Sequence, residues 1–158
     1  MDTDTSLTRL DPGYRKLQRL EGAFLAGPLL IGALVLTFVP DVPFWLRILA
    51  WIVAAIIAII TVLYLPHRRY VTRGYSMALD RLRVVRGVLF HFDTVVPFSR
   101  VQHIDLQQGP LERLFGIARL ILYTAGTHNA SVVLPGLAHD DAIAMRESIR
   151  RHVRQESV

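Results

Sequence analysis

Two kinds of hydrophobic patterning divide this chain. Gly22 to Val39 and Phe44 to Leu65 are almost unbroken apolar runs, separated only by Pro40-Asp41-Val42-Pro43, whereas the residues after Leu65 alternate short apolar and polar stretches. At about 1.5 Å of rise per residue the two runs would form helices of roughly 27 and 33 Å, close to the ~30 Å of a bilayer's hydrocarbon core. The pattern predicts a transmembrane helical hairpin over 20–65, with helices at about 22–39 and 44–65. A polar N-terminal segment, 1–19, precedes it and reads as a loose end followed by an interfacial turn of helix. One small domain, 66–158, follows. The first run is longer than a signal-peptide core and no small-x-small cleavage site precedes the loop, so it is expected to stay in place.

Small residues recur along both runs: Gly22, Ala23, Ala26, Gly27 and Gly32 in the first, Ala50, Ala54 and Ala58 in the second. Such faces let helices approach closely, here to pack the hairpin on itself or to join protomers. Arg47 is the lone charge inside the second run. Placed between Trp45 and Trp51, it is expected to snorkel to the headgroups. Even at the bilayer centre it would cost about 2.5–3.5 kcal/mol, against roughly 3–7 kcal/mol gained from the Ile, Leu and Val residues that follow. Neither run holds an acidic partner for it, which argues against a gating or proton-relay role. Arg15, Lys16 and Arg19 flank the first run, and His67, Arg68, Arg69 and Arg73 follow the second; the loop between them has no basic residue. The positive-inside rule then puts both termini, and the C-terminal domain, in the cytoplasm, and makes the Asn129-Ala130-Ser131 sequon irrelevant.

Downstream, β-prone segments at 70–78, 82–85, 88–98, 101–107, 117–124 and 131–134 are punctuated by Gly87, Gly109-Pro110 and Pro135-Gly136. Phe90 and Phe92 would share one face, opposite His91 and Asp93. A final helix from Asp140 to about Gln155 starts acidic and puts Ala142, Met145, Ile149 and Val153 on one face. Its other face carries Arg146, Arg150, Arg151 and Arg154, a candidate partner surface, with Glu147 spaced to pair with Arg151. About seven strands closed by an amphipathic helix predict a small barrel or sandwich.

Composition narrows the chemistry. Of 18 basic residues all but Lys16 are arginine, and the formal charge is +5. Such a balance suits nucleic acid or anionic lipid, and the hairpin selects lipid. Cysteine is absent, which excludes disulfides, thiolate metal sites and cysteine nucleophiles.

Several spaced blocks carry a family resemblance: Pro97-Phe98-Ser99-Arg100-Val101-Gln102-His103-Ile104, Gln108-Gly109-Pro110-Leu111-Glu112-Arg113-Leu114-Phe115-Gly116, Thr124-Ala125-Gly126 and Leu134-Pro135-Gly136-Leu137. Together with the hairpin they resemble the YdbS-like bacterial pleckstrin-homology (PH) family. The resemblance covers nearly the whole chain. It implies an α+β prokaryotic membrane protein, with a two-helix transmembrane hairpin, a seven-stranded PH-like barrel and a C-terminal capping helix. It implies no catalytic residues. The motif also has a physical reading: Pro110 starts a helical turn, Leu111, Leu114 and Phe115 plug the barrel, Gly116 reverses the chain, and Glu112 and Arg113 face outward.

Signals for chemistry are weak. Gly74-Tyr75-Ser76-Met77-Ala78 lacks the second glycine of a nucleophile elbow and is followed by strand residues. The six histidines share no metal-ligand spacing, and no phosphate-binding glycine loop is present. Neither cofactor nor metal is expected. Arg68, Arg69 and Arg73, at the membrane exit, are the candidate lipid-headgroup contacts, each worth about 1 kcal/mol beside an anionic surface. The expected role is a non-enzymatic membrane scaffold that meets a second copy or a related PH-domain protein. The alternatives are an accessory for anionic lipid and, more remotely, a membrane-bound hydrolase.

Overall fold

The computed structural model describes residues 7–88, 90–125 and 131–156, with side chains as far as Val153 in the last stretch. It comprises two compact units, one of residues 15–68 and one of residues 1–14 with 69–158.

The first unit is the hairpin. Helix α1 runs Pro12–Phe38 and helix α2 runs Phe44–Val71, passing through a π-helical turn at Ile60–Tyr64. Both are longer than the apolar runs, because each continues into polar sequence at its end away from the loop. Gly22 lies so close to α2 that a Cβ there would run into the carbonyl of Thr61, inside the π-turn. Ala26, Ala33 and Ala54 are buried. Gly27 and Gly32 face open space, so only part of the small-residue set packs the hairpin. At the loop end, Arg47 donates to the carbonyl of Val39 (2.9 Å) and Trp51 Nε1 donates to Thr37 Oγ1 (3.2 Å). Arg47 thus satisfies one of the carbonyls that a helix C-terminus leaves unpaired.

The second unit holds seven strands among the described residues, in two antiparallel sheets. β1 (Thr8–Arg9), β2 (Gly74–Met77), β3 (Arg81–Arg86) and β4 (Phe92–Pro97) form one in that order; β5 (Val101–Gln107), β6 (Ile117–Thr124) and β7 (Ser131–Ala138) form the other. A short helix, α3 (Pro110–Leu114), joins β5 to β6, and α4 (His139–Glu156) closes the chain. The core consists of Leu82, Val84, Val96, Phe98, Ile117, Leu120, Leu122, Leu134 and Leu137, with Ala142, Met145 and Ile149 from α4. Three- and four-residue steps place those last three on one face, as their spacing predicts.

The N-terminal segment departs from expectation. Rather than a loose end, it supplies β1, whose Thr8 and Arg9 pair with Tyr75 and Gly74 of β2. Asp11 then starts α1: its carboxylate accepts from the N–H of Gly13 (2.6 Å), ahead of Pro12 at the first helical position, a combination that favours helix initiation. The strand expected from residue 70 begins only at Gly74, since α2 extends to Val71. Gly87, at φ 137°, turns the chain against the carbonyl of Phe90, so β4 starts at Phe92, and Phe90 and Phe92 are both exposed.

The block at 110–116 is inverted relative to expectation. Leu114 is 72% exposed and Leu111 is also exposed, while Glu112 is only 5% exposed. The cause is local bonding. Glu112 Oε2 accepts from the backbone N–H of Gly109 (2.7 Å), and its Oε1 accepts from Arg119 (2.7–2.8 Å). A single turn of helix with its acid turned inward has no second inner face for leucine. Phe115 is half-buried, and Gly116, at φ 66°, makes the reversal into β6. In α4, Glu147 pairs with Arg146 (3.0 Å) and not with Arg151.

Candidate functional site

Arg73 occupies the step between α2 and β2. It is half-buried, lies over the ring of Tyr14 at 5.5 Å from the centroid, and donates to the Tyr14 hydroxyl. It also borders two clefts. One, of about 190 Å³, lies between Leu10, Arg73, Val84, Arg86 and the segment Val133–Pro135. The other, of about 540 Å³, lies between Arg9, Arg73, Val85, Gly87, Phe90 and His91. Among the described residues no carboxylate lines either cleft. Arg9, Arg73 and Arg86 make this end of the four-stranded sheet electropositive, suited to a phosphate or carboxylate group. Arg86 also stacks over Phe92, 5.8 Å from its centroid.

Of the three candidate headgroup arginines, Arg68 and Arg69 lie near the end of α2 and Arg73 just beyond it. Arg68 belongs to the hairpin unit, where it lies 5.9 Å over Tyr64, while Arg69 and Arg73 belong to the β unit. Of the three, Arg73 borders both of the clefts described above. Arg9, Arg86 and His91 escaped the sequence reading. The signal for Arg9 was the Asp11-Pro12 helix start, which leaves residues 7–10 free to be extended.

A second surface lies on the other sheet. Arg146 and Arg150 of α4, with Val153, face Val101, Gln102, His103 and Ile104 of β5 across a groove of about 390 Å³. Arg151 is exposed but does not line it. The side chain of Arg154 lies outside the described residues.

Several of the motif residues make hydrogen bonds within the β unit. Pro97 ends β4 opposite Arg81, and Phe98 N–H donates to Asp80. The carbonyl of Arg100 accepts from Ala125 N–H (3.0 Å), and the side chain of Gln108 donates to the Ile117 carbonyl (2.9 Å). Gly109 is bonded by Glu112, Pro110 opens α3, Leu111 and Arg113 are exposed on it, and Gln102 borders the β5 groove. Pro135 lines the smaller cleft. Gly136, at φ 68°, accepts from Asp11 N–H (2.8 Å) and leaves no room for a Cβ beside the Tyr14 ring. Gly126 lies outside the described residues.

For catalysis the geometry offers little. Ser76 is buried on β2, opposite Arg83 in the register. Among the described residues no three potential metal ligands converge. Tyr75 and Asp93 are perturbed. Burial, reinforced by the charge of Asp141, raises the phenol of Tyr75 above its ordinary value. The hydrogen bonds from Arg83 hold the Asp93 carboxyl below the usual range.

A family model described as bacterial PH domain matches residues 24–153. The chain belongs to that family. The match takes in most of the hairpin as well as β2 to β7 and most of α4, and the two sheets with their terminal helix are the family's PH-like fold. Among curated proteins, "UPF0699 transmembrane protein YdbS" of Bacillus subtilis (strain 168) is 28% identical over 149 residues, 92% of each chain. Among solved structures, the crystal structure of a DUF1696 family protein with a pleckstrin-homology domain from Shewanella loihica has a TM-score of 0.41 at 17% identity, over 54% of this chain and 74% of that one.

Proposed function

We propose that this bacterial PH-domain protein is a non-catalytic, membrane-anchored interaction module, with the hairpin crossing the membrane and the PH-like unit at its cytoplasmic face, working in a homo- or hetero-oligomer. The observation that carries the reading is the β1–β2 pair. Thr8 lies upstream of both helices and Tyr75 downstream, yet they are register partners in one sheet. Strand pairing across the ends of a two-helix hairpin requires both ends to emerge on the same side of a membrane. The basic residues flanking the helices favour the cytoplasm for that side.

Three further points support the reading. The most apolar windows of α1 and α2 are only 17% and 6% buried, unlike the core helices of a soluble protein. The Bacillus relative is named a transmembrane protein. Gly27 and Gly32 are each left uncovered within the hairpin, and small residues of this kind let helices approach closely in lipid. Crosslinking in native membranes, followed by mass spectrometry, tests the proposal. It expects a higher-order species or a recurrent protein partner, and a strictly monomeric, partnerless protein would overturn it.

The two clefts that share Arg73, one bordered also by Arg86 and the other by Arg9, favour a second reading, an accessory that engages anionic headgroups. Its expectation is that Arg9→Gln with Arg86→Gln weakens the pull of the purified protein toward vesicles rich in anionic lipid, while neutral vesicles show no change.

A further inference from the structure

We propose that β5 and α4 form a docking groove for an extended acidic segment of a partner protein, which adds as a strand to the outer edge of β5 and sets its carboxylates against Arg146 and Arg150. The proposal rests on the interaction-module reading and names the chemistry of the partner. β5 is a terminal strand of its sheet, in the order β5-β6-β7, and among the described residues no strand covers its outer edge. Its backbone N–H and C=O groups on that side are a template for another strand. The groove beside it, about 390 Å³, is floored by Val101–Ile104 and walled by Arg146, Arg150 and Val153. Four strand residues at about 3.3 Å each give roughly 13 Å, which fits an extended occupant of about four residues.

Charge selects the occupant. Among the described residues the groove lining holds two arginines and a histidine and no acid. Asp105, further along β5, is already engaged by His103 at 2.7 Å. Arg146 shares Glu147 at 3.0 Å, whereas Arg150 is exposed and no ion-pair partner reaches it among the described residues. In an added strand, alternate side chains point to one face. A segment alternating Asp or Glu with β-branched residues would therefore meet the arginines with one set of side chains and lay the other along the sheet.

The test uses the full chain in nanodiscs and ten-residue fluorescent peptides that alternate Asp or Glu with Val, Ile or Thr, read by anisotropy. Binding is expected to fall with added salt, to weaken about tenfold in Arg146→Glu with Arg150→Glu, and to be lost when prolines replace the β-branched positions, since proline cannot donate to the ladder. A Lys-for-acid peptide should bind the charge-reversed protein instead. The proposal is overturned if the acidic peptides do not bind the native chain at millimolar concentration, if the charge reversal leaves their affinity unchanged, or if the proline peptides bind equally well. A partner still crosslinked by the charge-reversed protein in membranes, with native efficiency, would remove the groove while leaving the interaction-module reading intact; absence of any partner in the native protein would remove both.

Discussion

The guanidinium of Arg73 stacks on the ring of Tyr14 and donates to its hydroxyl. Tyr14 in turn fills the space that Gly136 leaves beside β7. The stretch entering the first helix is thereby fastened to β7, to the start of β2 and, through β1, to the four-stranded sheet. Gly136→Ala should be damaging on two counts. A left-handed backbone costs a non-glycine residue about 1–2 kcal/mol, and the new Cβ would meet the Tyr14 ring, where overpacking costs about 1–3 kcal/mol. Faster hydrogen exchange in β1 and β7 is the expected readout. Native exchange there would mean that the ring moves aside freely.

Glu112 gives the second prediction. A carboxylate 5% exposed, bonded to Gly109 N–H and to Arg119, leaves a half-exposed guanidinium and an open backbone donor when removed. Glu112→Ala should lower the stability of the β unit by about 2–3 kcal/mol, below the full cost of breaking a buried pair because Arg119 still reaches water. Glu112→Gln keeps an acceptor for Gly109 and should lose less. Leu114→Ala, at a 72% exposed position, should change little. Thermal unfolding followed by near-UV circular dichroism ranks the three variants, and a Leu114 loss larger than that at Glu112 would contradict the inverted packing.

These two sites show where sequence reasoning stopped. The apolar runs, the strand segments after Gly74 and the buried face of α4 follow from periodicity, because long repeats average out local exceptions. Periodicity also assigned Leu111 and Leu114 to the core. Over one helical turn, however, a single carboxylate that satisfies a backbone N–H and an arginine decides which side faces inward. The β1–β2 pair was hidden for a different reason. Two residues of strand carry no alternation to detect, and their partner lies beyond the entire hairpin. Only the Asp11-Pro12 helix start hinted that the preceding residues were extended. Arg73 was found by its place after α2, whereas Arg9 joined it only through that long-range pairing and Arg86 through the pairing of Gly74 with Val85 in β2 and β3.

Asp93 on β4 and Arg83 on β3 are diagonal neighbours, since Arg83 pairs with Val95 and Asp93 with Val85, and their side chains meet at 2.5–3.1 Å. The hydrogen bonds lower the Asp93 pKa, so the pair's contribution is present above the unfolded value, near 3.9, and disappears as the pH falls through the lower folded value. Both side chains reach solvent, which limits the contribution to about 1 kcal/mol or less, reduced further by salt. Carboxyl NMR titration should show Asp93 moving back toward the ordinary range in Arg83→Gln. An unmoved titration would mean that the pair does not form in solution.

Tyr75 should behave in the opposite sense. Burial first, and the Asp141 charge second, hold its phenol protonated above the ordinary tyrosine range. Its stabilising contribution is complete below the unfolded pKa, near 10, and is lost as the pH rises through the folded value. In an ultraviolet titration of phenolate absorbance, Tyr75→Phe should delete a late-titrating group, and Asp141→Asn should shift that group down by less than the whole displacement. Loss of an early-titrating tyrosine in Tyr75→Phe would contradict the burial.

Inside the hairpin, Gly22 is the position where substitution should tell most. Its Cα sits against the Thr61 carbonyl within the π-turn of α2, and Thr61 Oγ1 bonds back to the Ile57 carbonyl at 2.8 Å. The side chain of Gly22→Val would collide with backbone, which cannot rotate away as a side-chain tip can. Gly27, which meets nothing within 4 Å, provides the matched control. The chain contains no cysteine, so a pair introduced at Thr37 and Trp51, whose side chains are hydrogen-bonded across the loop end, reports helix proximity without background. Disulfide formation between them should slow markedly in Gly22→Val and persist in Gly27→Val. Should Gly27→Val instead reduce intermolecular crosslinks while leaving the intramolecular disulfide intact, the open face of α1 would be where copies of this chain meet.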